Sequence, residues 1–136
     1  MAKEPEKARS VWNEVIGPFY AVSRVARELH LTEAEVRQQT EDKKLLGLRT
    51  SDENLVFPSF QFTQGEDGQS TVVVPGLSEV LSVINYNDAE AWTLASSLNG
   101  NRTNLDGKSI IGYLKETKDV EKPLAIVRDI AFRWSH

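Results

Sequence analysis

Hydrophobic positions recur at helical spacing along most of the chain and alternate in one interval near its middle. From Glu6 to Ile16, the residues Ala8, Val11, Trp12, Val15 and Ile16 fall on one stripe, which Gly17-Pro18 ends. A second stripe, Val22, Val25, Ala26 and Leu29, predicts a helix beginning near Phe19 or Tyr20, with Arg24, Arg27 and Glu28 on its other face. Thr32-Glu33-Ala34-Glu35 has the spacing of a capping box: the Thr32 oxygen accepts from the Glu35 N–H while the Glu35 side chain reaches back to the Thr32 N–H. A third helix to about Asp42 follows, with Ala34, Val36 and Thr40 available for packing and Glu33, Arg37, Gln38 and Glu41 facing outward. The connection between the second and third helices is short, as in the tight turn of a helix-turn-helix.

After Lys43-Lys44 the pattern turns to β. Leu45 to Thr50, the polar Ser51-Asp52-Glu53-Asn54 and Leu55-Val56-Phe57 read as a hairpin, and Phe60 and Phe62 alternate with polar neighbours in a third extended segment. Gln64 to Gln69, with Gly65 and Gly68, reads as a loop. Helical spacing returns with Leu77, Val80, Leu81 and Ile84, and then with Ala91, Trp92, Ala95 and Leu98, where Asp88 is placed to cap. Asn101 to Lys108 is a polar loop pinned by Leu105. Ser109 then caps a helix carrying Ile110, Ile111 and Leu114, and a last helix from about Val120 carries Leu124, Val127, Ala131 and Trp134. The expected fold class is mostly α with a small β-hairpin wing (α+β), a winged helix-turn-helix followed by a small helical domain. The expected organisation is an N-terminal helix at 1–16, the winged unit at 17–62, a linker at 63–75 and a helical partner-binding domain at 76–136.

Composition narrows the function. The 136 residues are 40% apolar, enough for a core, and carry a net charge of −4, which excludes a uniformly basic nucleic-acid binder. Neither side of Phe62 is a charged tail: nine basic and ten acidic residues precede it, and seven basic and ten acidic follow. With no cysteine and only His30 and His136, the sequence offers no thiol nucleophile, disulfide framework or metal-ligand spacing. The eight glycines are scattered and form no phosphate-cradling loop, so no enzyme activity, cofactor or metal is expected. The start Met1-Ala2-Lys3-Glu4-Pro5 lacks an apolar signal core, and no apolar run is of membrane-spanning length, which predicts a cytoplasmic protein without a membrane partner.

The candidate chemistry lies in residues 19–62. A capped helix can enter a major groove about 12 Å wide while a hairpin touches the neighbouring backbone. Arg37 and Gln38 are placed to read base edges; Arg24, Lys43, Lys44 and Arg49 to meet phosphates; and Asn54 at the wing tip to touch sugar or phosphate. Glu33, Glu35, Glu41 and Asp42 oppose them. Lys43-Lys44 also reads as an ordinary solvated helix end. Trp12, Trp92 and Trp134 sit in apolar stripes and read as core, and His30, at the helix-turn junction, reads as a C-cap or surface residue.

Residues 17–62, from Gly17-Pro18-Phe19-Tyr20 to Phe57-Pro58-Ser59-Phe60-Gln61-Phe62, resemble the winged helix-turn-helix of MerR-type and excisionase-type DNA-binding proteins, with Leu45-Leu46-Gly47-Leu48-Arg49-Thr50 and the following hairpin as the wing. Residues 77–134 resemble the toxin-binding domain of Xre/MbcA/ParS-like antitoxins through Trp92, Leu98, Leu105, Gly107, Ser109 and Leu114. The resemblances imply an antitoxin-like transcription regulator that binds its operon's double-stranded DNA operator through the first half. They also imply a cognate toxin, often of a NAD-consuming type, bound through Asn101, Arg102, Leu105, Gly107 and Ser109. A homodimer is expected, because paired half-sites raise the affinity of a module with few basic contacts. The alternative is an interaction module that does not bind DNA, dimerises through the winged unit and sequesters a partner.

Overall fold

The computed structural model describes residues 16–134. The expected helix at 1–16, with Trp12, lies outside that range except for Ile16, as does His136. The fold class is the expected one, mostly helical with small antiparallel sheets.

The first element is strand β1 (Phe19–Ala21), and helix α1 (Val22–Leu29) starts only after it. This corrects the helix start expected at Phe19 or Tyr20. The aromatic pair has strand propensity, and β1 finds an antiparallel partner in β3 (Leu55–Pro58), with Phe19 opposite Pro58 and Tyr20 opposite Phe57. Helix α1 buries Val22, Val25 and Ala26 and ends at His30, which adopts the left-handed conformation (φ 58°), the C-cap role read from the sequence.

Helix α2 (Glu33–Glu41) opens on the complete capping box. Glu35 N–H donates to Thr32 Oγ1 at 3.1 Å and Thr32 N–H to Glu35 Oε1 at 2.8 Å. Its only buried residue is Val36, and Ala34, expected to pack, is exposed. The wing is β2 (Leu48–Arg49) against β3, giving a three-stranded sheet in the order β1-β3-β2. At Gly47, just before it, a Cβ would lie 2.8 Å from both Leu55 Cδ1 and Thr40 Cγ2, so these side chains would have to shift to admit one.

Two expectations for the middle of the chain are corrected. Ser59–Gln61 forms a single 3-10 turn instead of extending, and it buries Gln61 completely. There the Gln61 amide accepts from Leu46 N–H at 2.9 Å and donates to Leu46 O at 2.9 Å and to Pro58 O at 3.1 Å, serving as a substitute strand partner for residue 46. The expected linker at 63–75 is a second hairpin of β4 (Phe62–Gln64) and β5 (Thr71–Val73). Asp67 organises its turn: the carboxylate accepts from Gln69 N–H, Ser70 N–H and the Ser70 hydroxyl.

Helices α3 (Leu77–Ser82), α4 (Asp88–Asn99), α5 (Ile110–Thr117) and α6 (Glu121–Trp134) complete the chain. Asn87, not Asp88, caps α4, in a box with Glu90, and Ser109 caps α5 as expected. Buried residues fall into two clusters. Val22, Val25, Val36, Leu45, Leu55, Phe57 and Phe62 form the core of the winged unit. Ile16, Leu46 and Leu48 join Leu77, Leu81, Leu94, Leu98, Leu114 and Val127 in the other. The neighbours Leu45 and Leu46 therefore enter different cores. The winged and helical parts share a packed boundary, with no spacer between them.

Candidate nucleic-acid interface

With Val36 as the anchor, Ala34, Arg37, Gln38 and Glu41 lie on the outward face of α2 at the spacing i, i+3, i+4 and i+7, and all are exposed. The capping box engages Glu35, so one of the acidic groups has its oxygen directed at the helix's own backbone. Gln38 Nε2 donates to Asp42 Oδ1 at 3.1 Å, and the Arg37 guanidinium projects freely beside it. Lys44 is exposed just past the helix end. On the wing, exposed Arg49 donates to Glu53 O at 3.4 Å, and Asn54, at the tip, donates through its amide to Asp52 at 3.0 Å. Arg24, exposed on α1, holds its guanidinium 3.9 Å above the centre of the Tyr20 ring.

Lys43, expected to meet phosphate, lies against the helical part. It takes the left-handed conformation (φ 63°) that terminates α2, which turns its side chain toward the helical part. Its ammonium lies 3.7 Å from the centre of the Tyr86 ring and donates to Ile84 O at 3.5 Å, and desolvation lowers its pKa. Burial pushes the Tyr86 hydroxyl up to about 12, so the ring stays neutral beneath the cation.

A second tie joins wing and helices. Trp92, which the sequence places in the core, is half-buried, and its indole N–H donates to the Arg49 carbonyl at 3.0 Å while its ring meets Phe19 edge-on at 5.7 Å. Trp134 is likewise half-buried. Sequence reasoning missed Tyr20 and Tyr86 as partners of cations, since an aromatic-to-cation contact between separate elements leaves no spacing signal.

The residues expected to bind a toxin are largely occupied by the fold. Leu105 is 1% exposed and belongs to the core. The Ser109 hydroxyl accepts from Gly112 N–H at 2.9 Å as the α5 cap. Half-buried Arg102 donates to Ser97 O at 3.2 Å and its backbone bridges Lys108, closing the loop. Asn101 is exposed, and Gly107 supplies the left-handed turn residue (φ 79°).

The arrangement defines a mixed α+β protein with a winged helix-turn-helix order and a helical part packed against the wing. No family model and no curated protein matches the chain. Among solved structures it is similar to the NMR structure of Rv2175c, with a TM-score of 0.64 and 23% sequence identity, the match covering 84% of this chain and 81% of that one. This likeness is one of fold. Among the described residues, no helix is long and apolar enough to cross a membrane.

Proposed function

We propose that this chain is a transcription regulator that binds operator DNA as a homodimer, laying α2 in the major groove and the wing along the adjoining backbone. The observation that carries the reading is the outward face of α2: a short, capped helix held by Val36 alone, presenting Ala34, Arg37, Gln38 and Glu41 without any covering element among the described residues. Arg37 reads bases, Gln38 supports it, and Arg24, Lys44 and Arg49 set the register on phosphates, with Asn54 reaching sugar or phosphate from the wing tip. Lys43 drops out of this set. The helical part acts as a brace through the Tyr86 and Trp92 contacts, a role its geometry supports better than toxin docking through Leu105 or Ser109.

Acidic neighbours on α2 keep nonspecific binding low and leave discrimination to a few contacts. Three phosphate contacts per protomer, six in the dimer, give a log–log salt slope of about −5.4, an affinity loss of about 2,000-fold between 50 and 200 mM salt. Titration of the protein against its own upstream DNA at these two concentrations tests the reading. Arg37→Ala is expected to relax sequence preference, whereas Lys44→Ala, present in both protomers, weakens operator and random DNA alike and makes the slope shallower by about 1.8. Negligible binding even at low salt leaves the interaction-module alternative.

A further inference from the structure

We infer that Tyr20 is a positioning residue for DNA binding, a fixed aromatic mount that the second hairpin holds in place and that presents Arg24 to a backbone phosphate; this rests on the DNA-binding reading above. Tyr20 is immobilised through its backbone, which pairs with Phe57 in the central strand. Its ring is fixed as well, lying parallel to Phe62 with an interplanar angle of 6° and centroids 5.6 Å apart. Phe62 is 8% exposed and opens β4, paired with Val73 of β5.

On this stack rests an arginine that is otherwise free. The Arg24 Cζ lies 3.9 Å from the Tyr20 ring centre, van der Waals distance for a guanidinium using its face. The N–H donors lie in the guanidinium plane, so a face contact leaves them available for paired hydrogen bonds to phosphate oxygens. One turn along α1, the Glu28 carboxylate is placed to neutralise Arg24, but it accepts from the Thr71 hydroxyl at 2.9 Å, a second contact from the same hairpin. Among the described residues Arg24 forms no ion pair. The first helix of a helix-turn-helix crosses the DNA backbone, which is where a pre-oriented arginine on α1 is useful. A loose surface arginine must surrender its rotamer freedom on binding; a mounted one has already done so.

The test is a binding cycle with Arg24→Ala, Tyr20→Leu and the double variant on operator and random DNA across a salt series, with folding checked by thermal melting. Arg24→Ala, which removes one contact from each protomer of the dimer, is expected to weaken both DNAs about 10- to 100-fold and to make the salt slope shallower by about 1.8. Tyr20→Leu should reproduce at least half of that loss on a logarithmic scale, Tyr20→Phe none of it, and the double variant should bind like Arg24→Ala alone. Arg24→Lys, which leaves the stack untouched, keeps the charge without the flat guanidinium and is expected to lose binding too, so the inference stays testable if Tyr20→Leu does not fold. Wild-type binding by Tyr20→Leu or Arg24→Lys beside a weakened Arg24→Ala, or losses that multiply in the double variant, overturns the mount and leaves the DNA reading standing. An unaffected Arg24→Ala also overturns it. Absence of DNA binding by the unmodified protein overturns both.

Discussion

The face of α2 and the loop from Asn101 to Ser109 are both short polar stretches pinned by one buried aliphatic residue, Val36 in the first and Leu105 in the second. They put their polar groups to opposite uses. A helix satisfies its interior backbone by itself and needs side chains only at its start, so α2 takes Thr32 and Glu35 for its cap and leaves Arg37 and Glu41 in solvent. A loop has no such ladder. Arg102 and Ser109 therefore serve neighbouring backbone, and Asp106 and Gly107 adopt left-handed conformations to close the turn. Polar residues at comparable density thus mean an accessible surface in one place and internal scaffolding in the other.

The winged and helical parts depend on one another most at their packed boundary. Leu46 is fully buried in the cluster of the helical part although it belongs to the approach to the wing. Leu46→Ala is expected to cost about 2–5 kcal/mol and to lower one cooperative unfolding transition, read in parallel by tryptophan fluorescence and far-ultraviolet dichroism. Two separated transitions would show that wing and helices unfold independently, and the bracing role of the helical part would then fail.

The next largest effect sharpens the same boundary through Gln61, which meets both hydrogen-bonding groups of Leu46. Gln61→Leu keeps the side chain's approximate volume but strands a buried N–H and C=O, a loss of about 1–3 kcal/mol in denaturant unfolding. An unchanged midpoint would mean that other groups satisfy residue 46.

Much of this architecture is legible in the sequence wherever local rules decide it. The stripe Val22, Val25, Ala26, the Thr32 and Glu35 box, the Ser109 cap and the β character of Leu48 and Leu55–Phe57 all follow from spacing, and each appears in the structure. What escaped depends on partners distant in the chain. Phe19 and Tyr20 become a strand because β3 is there to pair with, and residues 62–73 become a hairpin because three-residue strands bear no period long enough to recognise. Gln61 carries no signal for burial, since its partners are backbone groups of residue 46. In the candidate site, exposure of Arg37 and Gln38 could be read from the helical face and that of Lys44 from its place beyond the helix end, whereas the diversion of Lys43 to Tyr86 depends on a single left-handed residue at the end of α2.

The smallest effect concerns the second hairpin, whose turn is stapled by an exposed carboxylate. Hydrogen bonds from the Ser70 hydroxyl, then from the Ser70 and Gln69 N–H groups, bring the Asp67 pKa from 3.8 down to about 2. Because the folded value lies below the unfolded one, the contribution of Asp67 is complete above the ordinary carboxylate range and disappears as pH falls from about 4 toward about 2. Amide exchange at Gln69 and Ser70 should therefore rise on acidification with a midpoint near the Asp67 carboxyl titration, both followed by nuclear magnetic resonance. Asp67→Ala should abolish that dependence. The Asn101–Ser109 loop, closed by Arg102, Ser109 and its own backbone, should not follow the same titration. An Asp67 titration near 4, or a turn that holds its protection below its midpoint, would show that the backbone closes this hairpin without the carboxylate and that the two turns are alike after all.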